Sequence, residues 1–312
     1  METIVQNLEA VFAAGGRKVV GAFCYWSLSN VEVNRQLWRD TMESIGLGRA
    51  VGREPRAEAM LSDAAHLARS GADGILLRRV DRYSWGIIEE VRGESDNVLS
   101  HSHVLTLTVQ PSAVPVGQRV LVFAVAGAPV AGDQAQRVAA KMVAACENIA
   151  QNVLTTDLST MLTTAMHGST VRPMLGAISL RDRTGGLYLL PPGSVVQAKA
   201  LAAAVNALAG GSRVDVLTLY ADDENLATAA QSAKASFTAQ LNVLREELAA
   251  FQAEAKEATK DVTDRNVDVR LGRLNSLDQR VSMWSEVLGD VRAELVASIE
   301  AAKADVVAAL GL

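Results

Sequence analysis

The strongest constraint in this chain is an apolar seam in its last third. Phe237, Leu241, Leu244, Leu248 and Phe251 recur at alternating spacings of four and three. Leu274, Val281, Trp284, Leu288, Val291 and Leu295 resume the same beat. Side chains at that spacing line one side of an α-helix and require another helix against them. No proline follows Pro192, so long helices meet no break in backbone hydrogen bonding. The spacing predicts one helix over residues 224–256 and a second running to about residue 310. The polar stretch 257–266 lies between them. The two arms would fold back as a hairpin or pair as a coiled coil with another copy, and they set off residues 223–312 as a unit.

The rest of the chain has the material for a separate core. The sequence has 312 residues and is 49% hydrophobic, enough for about two domains. Aromatics are only 4%, so Ala, Val and Leu must fill the interior, which suits closely packed helices. From Asp222 onward there are 16 acidic and 10 basic residues, a balance of −6, and the first 221 residues carry 19 and 20. Neither part has the basic footprint of a general nucleic-acid binder. Cys24 and Cys146 stand far apart in apolar contexts, which reads as two reduced core thiols. The start of the chain has no basic segment followed by an apolar run, and no stretch approaches about 20 uninterrupted apolar residues. The expectation is a cytoplasmic protein with no membrane segment.

Hydrophobic periodicity gives an α+β reading of the first 222 residues. A short amphipathic helix is expected over residues 1–14. The run VVGAFCYWSL, residues 19–28, reads as a buried strand. Ser29 or Asn30 would cap a helix burying Val33, Leu37, Trp38, Met42 and Ile45, stopped by Gly46. Pro55 opens another, with Met60, Leu61, Ala64 and Leu67 inward. Strands at 74–80, 84–91, 98–109 and 118–126 form an antiparallel meander, covered on one face by the helices from residues 30–70. This makes residues 1–132 an N-terminal α+β domain. A helical stretch over 133–168 leads into a second small α+β unit that closes at residue 222. It holds a strand pair at 174–180 and 186–190, a helix to residue 208, and a strand at 213–220. The strands joined by that helix would run parallel.

The stretches YWSLSNVEV, LLRRV…SWGIIEEV, GGLYLLPP and RVDVLTLYADDEN together resemble a family of uncharacterised bacterial and phage proteins of about this length. The resemblance covers most of the chain and rests on structural patterns. It implies no activity, no cofactor and no site residues. It associates such proteins with gene neighbourhoods that hold ring-forming AAA+ ATPases, which makes an ATPase subunit a candidate partner.

Few constellations point to chemistry. His101 and His103 form a His-x-His on an expected strand, where a period of two puts both imidazoles on one face about 7 Å apart. That spacing suits a metal if a third ligand converges. Leu99, Leu105, Leu107 and Val109 share the same face in plain alternation, which argues for a core or its rim. Arg78, Arg79 and Arg82 on one hairpin, with Arg172, Arg181 and Arg183 near another, would form a basic surface if the hairpins adjoin. Tyr83, Trp85 and Tyr188 are at hand to stack on bases. Asp222, Asp223 and Glu224 open a helix, where acidic caps are favourable. The loop 127–132 lacks the residues of a phosphate-binding fingerprint.

These readings favour a non-catalytic interaction or scaffold protein that self-associates or docks another subunit. Its contact seam would be Leu241, Leu244, Leu248, Leu274, Val281, Trp284, Leu288 and Leu295. The alternatives are a nucleic-acid-associated protein using the arginine hairpins, and a metal-dependent enzyme built on His101 and His103.

Overall fold

The computed structural model describes residues 18–52, 54–69, 74–93, 98–110, 122–127, 133–168, 172–180, 186–256 and 264–308. The helix expected over residues 1–14 and the loop 128–132 lie outside them. The chain is an α+β protein with small antiparallel sheets. Its contacts divide it into two compact units. The first holds residues 1–32, 37–51 and 155–312, and the second holds 33–36 and 52–154. The sequence boundaries at 132 and 222 follow the order of the expected elements along the chain. Contacts instead group segments that are distant in sequence.

The first unit is built on strand β1 (Val19–Ser27). Its β-branched and aromatic residues suit a strand covered on both faces, and Ala22 and Cys24 are fully buried. In the second unit, β2 (Glu32–Asn34) pairs with the short β7 (Asn152–Leu154). Helix α1 (Arg35–Ser44) follows β2. The helix expected to begin near residue 30 therefore starts later. Asn30 takes a positive φ of 49°, which turns the chain, and Val33 is a strand residue. Trp38 and Met42 face inward as expected, whereas Leu37 is exposed.

The first unit's sheet continues with β8 (Ile178–Ser179), β9 (Leu187–Leu190) and β10 (Arg213–Tyr220), in the order β10–β1–β9–β8. Strand β1 is antiparallel to both β10 and β9. The two strands joined by α5 (Val195–Leu208) therefore do run in one direction, but they are not neighbours. The N-terminal strand lies between them. This order is what binds residues near 20 to residues near 220. At Gly21 the strands approach so closely that a Cβ would lie 2.7 Å from the Leu190 carbonyl oxygen.

Helix α6 (Asp223–Lys256) runs as long as the seam requires. Asp222 caps it, its Oδ1 accepting the Asn225 N–H at 2.6 Å. The second arm is not one helix. It is α7 (Asp264–Met283), a single turn α8 (Ser285–Leu288) and α9 (Val291–Ala308). The break falls at Trp284 and Gly289, the latter at φ +51°, and α9 packs against both α7 and α6. Phe237 and the eight seam residues are all buried in one cluster with Ile178 and Leu189 of the sheet. Ion pairs stitch the helices outside that cluster, Arg273 to Glu247 and Lys303 to Asp278. No described helix is long and apolar enough to cross a membrane.

The second unit is the expected meander. Strands β3 (Ile75–Arg79), β4 (Ser84–Arg92), β5 (Val98–Gln110) and β6 (Val122–Gly127) pair antiparallel in sequence order. One covering helix is α2 (Ala57–Ala68), as expected, with Met60, Leu61 and Ala64 inward and Leu67 exposed. The other is α3 (Asp133–Gln151), not the helix near residue 40. Both cysteines are buried free thiols, and burial pushes each up to about 12.

Candidate functional site: a groove around a buried arginine

Two helices of the first unit carry polar stripes at a spacing of four, and the stripes line one groove. Helix α4 (Thr155–His167) contributes Ser159, Thr163 and His167. Residues four apart stack along one face of a helix. The other face of α4 buries Leu158, Met161, Leu162 and Ala165. On α6 the stripe is Ser232, Ser236 and Gln240, beside the small residues Ala235 and Ala239. Trp26, Ser179, Leu180, Tyr188 and Arg280 complete a groove of about 830 Å³. An adjoining recess of about 570 Å³ shares His167, Ala239, Gln240 and Arg280 with it, so Arg280 lies where the two meet. Neither recess has an acidic residue among its described lining.

Arg280 on α7 is the unusual group. It is only 8% exposed. Its Nη1 donates to Gln240 Oε1 at 2.6 Å, and its Nη2 donates to the Ala177 carbonyl oxygen at 2.7 Å. Its Nε is buried with no partner among the described residues. The guanidinium carbon lies 5.5 Å from the centroid of the Phe237 ring. No described carboxylate pairs with it, and burial alone pushes it down to about 10. A buried cation without a counter-ion is costly, and such groups normally acquire one.

The surroundings hold this side chain in place. Trp284, one turn after Arg280, donates Nε1–H to the Gly176 carbonyl oxygen at 2.9 Å. Gly176 has φ +63°, a conformation that favours glycine, and a Cβ there would lie 2.6 Å from Met283 Sδ and displace that side chain. Leu175 and Ala177 donate back to the carbonyls of Ala165 and Met166 at the end of α4. Gln240, which receives one Arg280 hydrogen bond, donates its own Nε2–H to Ser236 Oγ at 3.0 Å.

The aromatic end of the groove is equally fixed. Trp26 stacks on Tyr188 with centroids 5.0 Å apart and planes 12° apart. Tyr188 is buried, and Trp26 is half-buried. His167 meets Tyr188 edge-on at 5.2 Å. Burial holds the His167 imidazole below its ordinary range, the charge of Arg280 adds to this, and a hydrogen bond with the Ala177 backbone opposes both.

Of the residues singled out from sequence, only Tyr188 and Leu244 are among the described lining of these recesses. The eight seam positions are buried by this chain's own helices and sheet. His101 and His103 are exposed, and they sit on the opposite face of β5 from Leu105, Leu107 and Val109. The cause is a bulge. Ile87 pairs with Leu105 but Ile88 pairs with His103, which leaves Val104 as the extra residue. His103 Nε2 lies 3.0 Å from both the Leu105 carbonyl oxygen and Thr106 Oγ1. Among the described residues no three potential metal ligands gather.

The arginines are divided between the two units and the residues outside those described. Arg78, Arg79 and Arg82 belong to the second unit, Arg172 belongs to the first, and Arg181 and Arg183 lie outside the described residues. Arg82 pairs with Glu58 at 2.7 Å and lies over the Tyr83 ring, while Arg79 Nε donates to the Asp81 carbonyl oxygen. Of the three aromatics grouped with them, Tyr188 is instead the floor of the groove.

A family model described as a family of unknown function (DUF6744) matches residues 19–311. The chain belongs to that family. The DUF6744 match takes in every residue of the groove, from Trp26 to Arg280. Comparisons with curated proteins and with solved structures each give no match.

Proposed function

We propose that this protein is a non-catalytic binding protein whose groove in the first unit takes a small anionic ligand. One observation carries the reading: Arg280 is buried at the meeting of two recesses with one N–H unpartnered and no carboxylate beside it. An anion there would supply the missing charge, and charge-assisted hydrogen bonds to a guanidinium are among the strongest available. The hydroxyls of Ser159, Thr163, Ser232 and Ser236 along the walls both donate and accept, so they suit a polar ligand without adding charge. Docking to a second copy or to an ATPase subunit stays compatible with this reading on surfaces other than the buried seam.

The test is thermal unfolding of the full chain with inorganic phosphate, pyrophosphate and small carboxylates at constant ionic strength. A ligand that binds only the folded state raises the midpoint by an amount that grows with the logarithm of its concentration over its dissociation constant. The expected result is a concentration-dependent rise with at least one of these anions, lost in Arg280→Met. Equal responses in the two proteins would sink the proposal.

A further inference from the structure

Resting on the anion-binding reading of this groove, we infer that its ligand is a nucleoside monophosphate, with the phosphate at Arg280 and the base against Trp26. The first ground is size. The groove measures about 830 Å³, inside the range of pockets that bury drug-sized ligands. A bare phosphate occupies only a few water volumes of about 30 Å³ each and would leave most of it wet.

The second ground is the ring pair. Tyr188 is buried and stacks almost parallel to Trp26, so the plane of Trp26 is set before any ligand arrives. Trp26 is half-buried and lines the groove, which leaves part of it facing the space a ligand would fill. A planar base extends such a stack whatever its sequence identity. Besides the rings and Arg280, the lining carries the hydroxyls of Ser159, Thr163, Ser232 and Ser236 and the Gln240 amide, which match the hydroxyls of a sugar.

The third ground is charge. A polymer of nucleotides is held by a track of cations, each neutralising a phosphate. This groove offers one unpaired guanidinium, since Arg273 in the adjoining recess is paired with Glu247. The described lining therefore fits one phosphate group, and its lack of acids leaves no counter-charge for a cationic ligand.

The experiment uses the full chain, with calorimetry and tryptophan fluorescence on four probes: AMP, CMP, inorganic phosphate and adenosine. AMP should bind at least tenfold more tightly than phosphate, and more tightly than CMP, whose ring is smaller. Trp26→Ala should bring AMP down to the affinity of phosphate. Gln240→Glu should abolish binding of both, because it places a carboxylate on Arg280 while keeping the hydrogen bond that holds it. That variant guards against a fold defect in Arg280→Met. Equal affinity for AMP and phosphate, with no effect of Trp26→Ala, overturns the nucleotide assignment and leaves anion binding standing. Adenosine binding as tightly as AMP, unaffected by Gln240→Glu, overturns anion binding itself, whereas silence from all four probes overturns the nucleotide assignment.

Discussion

Arg280 donates from Nη2 to the carbonyl oxygen of Ala177 at 2.7 Å, which ties the last turns of α7 to the segment before β8. The bond holds the guanidinium in place without neutralising it. Burial lowers the Arg280 pKa to about 10, so its charge costs the fold free energy on the order of a few kcal/mol. Arg280→Met removes that cost and strands two acceptors. One of them, Gln240 Oε1, belongs to a groove-lining side chain and can turn to water. A stranded acceptor costs about 1–3 kcal/mol when it stays dry. The charge term is therefore expected to win or to balance. Arg280→Met should equal the parent or exceed it by up to about 2 kcal/mol in urea unfolding without ligand, while losing its response to anions. A loss beyond about 2 kcal/mol would mean that Arg280 is kept for the fold.

His167 gives the groove a pH signature. Its folded pKa is depressed below 6.5, first by burial and then by Arg280. The unfolded chain then takes up the proton more readily than the folded one. The stability from this group is complete above pH 6.5 and is lost as pH falls through the folded value. The other ionisable groups around it are Tyr188, in ring contact, and Arg273 across the adjoining recess. The imidazole resonances of the folded protein should titrate below the ordinary range. They should move back up in Arg280→Met and when an anion occupies the groove. A titration midpoint unmoved by either change would separate His167 from Arg280.

The seam and the groove differ in how far the sequence exposes them. Leu241, Leu244 and Leu248 repeat with a helical beat, because burial against another helix selects one apolar face. That beat fixes α6, and the meander's alternation fixes β3 to β5. It does not say which surface covers the seam. Here α7, α9 and the sheet cover it, and only the tertiary contacts of Ile178 and Leu189 reveal the last of these. The place of β1 between β9 and β10 is likewise non-local, since no turn connects it to either neighbour. The groove had a signal that apolar periodicity hides. Ser159, Thr163 and His167, and Ser232, Ser236 and Gln240, are polar residues at a spacing of four. They read as solvated helix faces until α4 and α6 are known to share a groove. Arg280 had no local signal at all, because its burial depends on Ala177 and Gln240, 103 and 40 residues away.

An internal seam makes a prediction that separates it from an interface. Leu241→Ala and Leu248→Ala each remove a buried side chain from the cluster of α6, α7 and α9. Each should lower stability by about 2–5 kcal/mol in chemical denaturation, the usual cost of emptying such a site. Neither should change the molar mass measured by light scattering, because the side chains are already covered within one chain. A fall in mass with stability preserved would place the seam between copies.

The β5 bulge can be tested at the residue it creates. In plain alternation with Leu105, Leu107 and Val109 inward, Val104 would point outward and Val104→Ala would cost under about 0.5 kcal/mol. The observed register leaves Val104 without a partner on β4, and both Val104 and Leu105 are buried in the same core at 7% exposure each. Burying a valine side chain contributes roughly 1.5–3 kcal/mol, and the methyls lost in an alanine account for most of it. Val104→Ala should therefore cost about 1–2.5 kcal/mol, comparable to Val109→Ala. His101→Ala, on the exposed opposite face, should cost almost nothing. Denaturant unfolding of the three variants decides between the two registers. A neutral Val104→Ala beside a costly His101→Ala would restore the unbroken alternation, with the histidines on the core side.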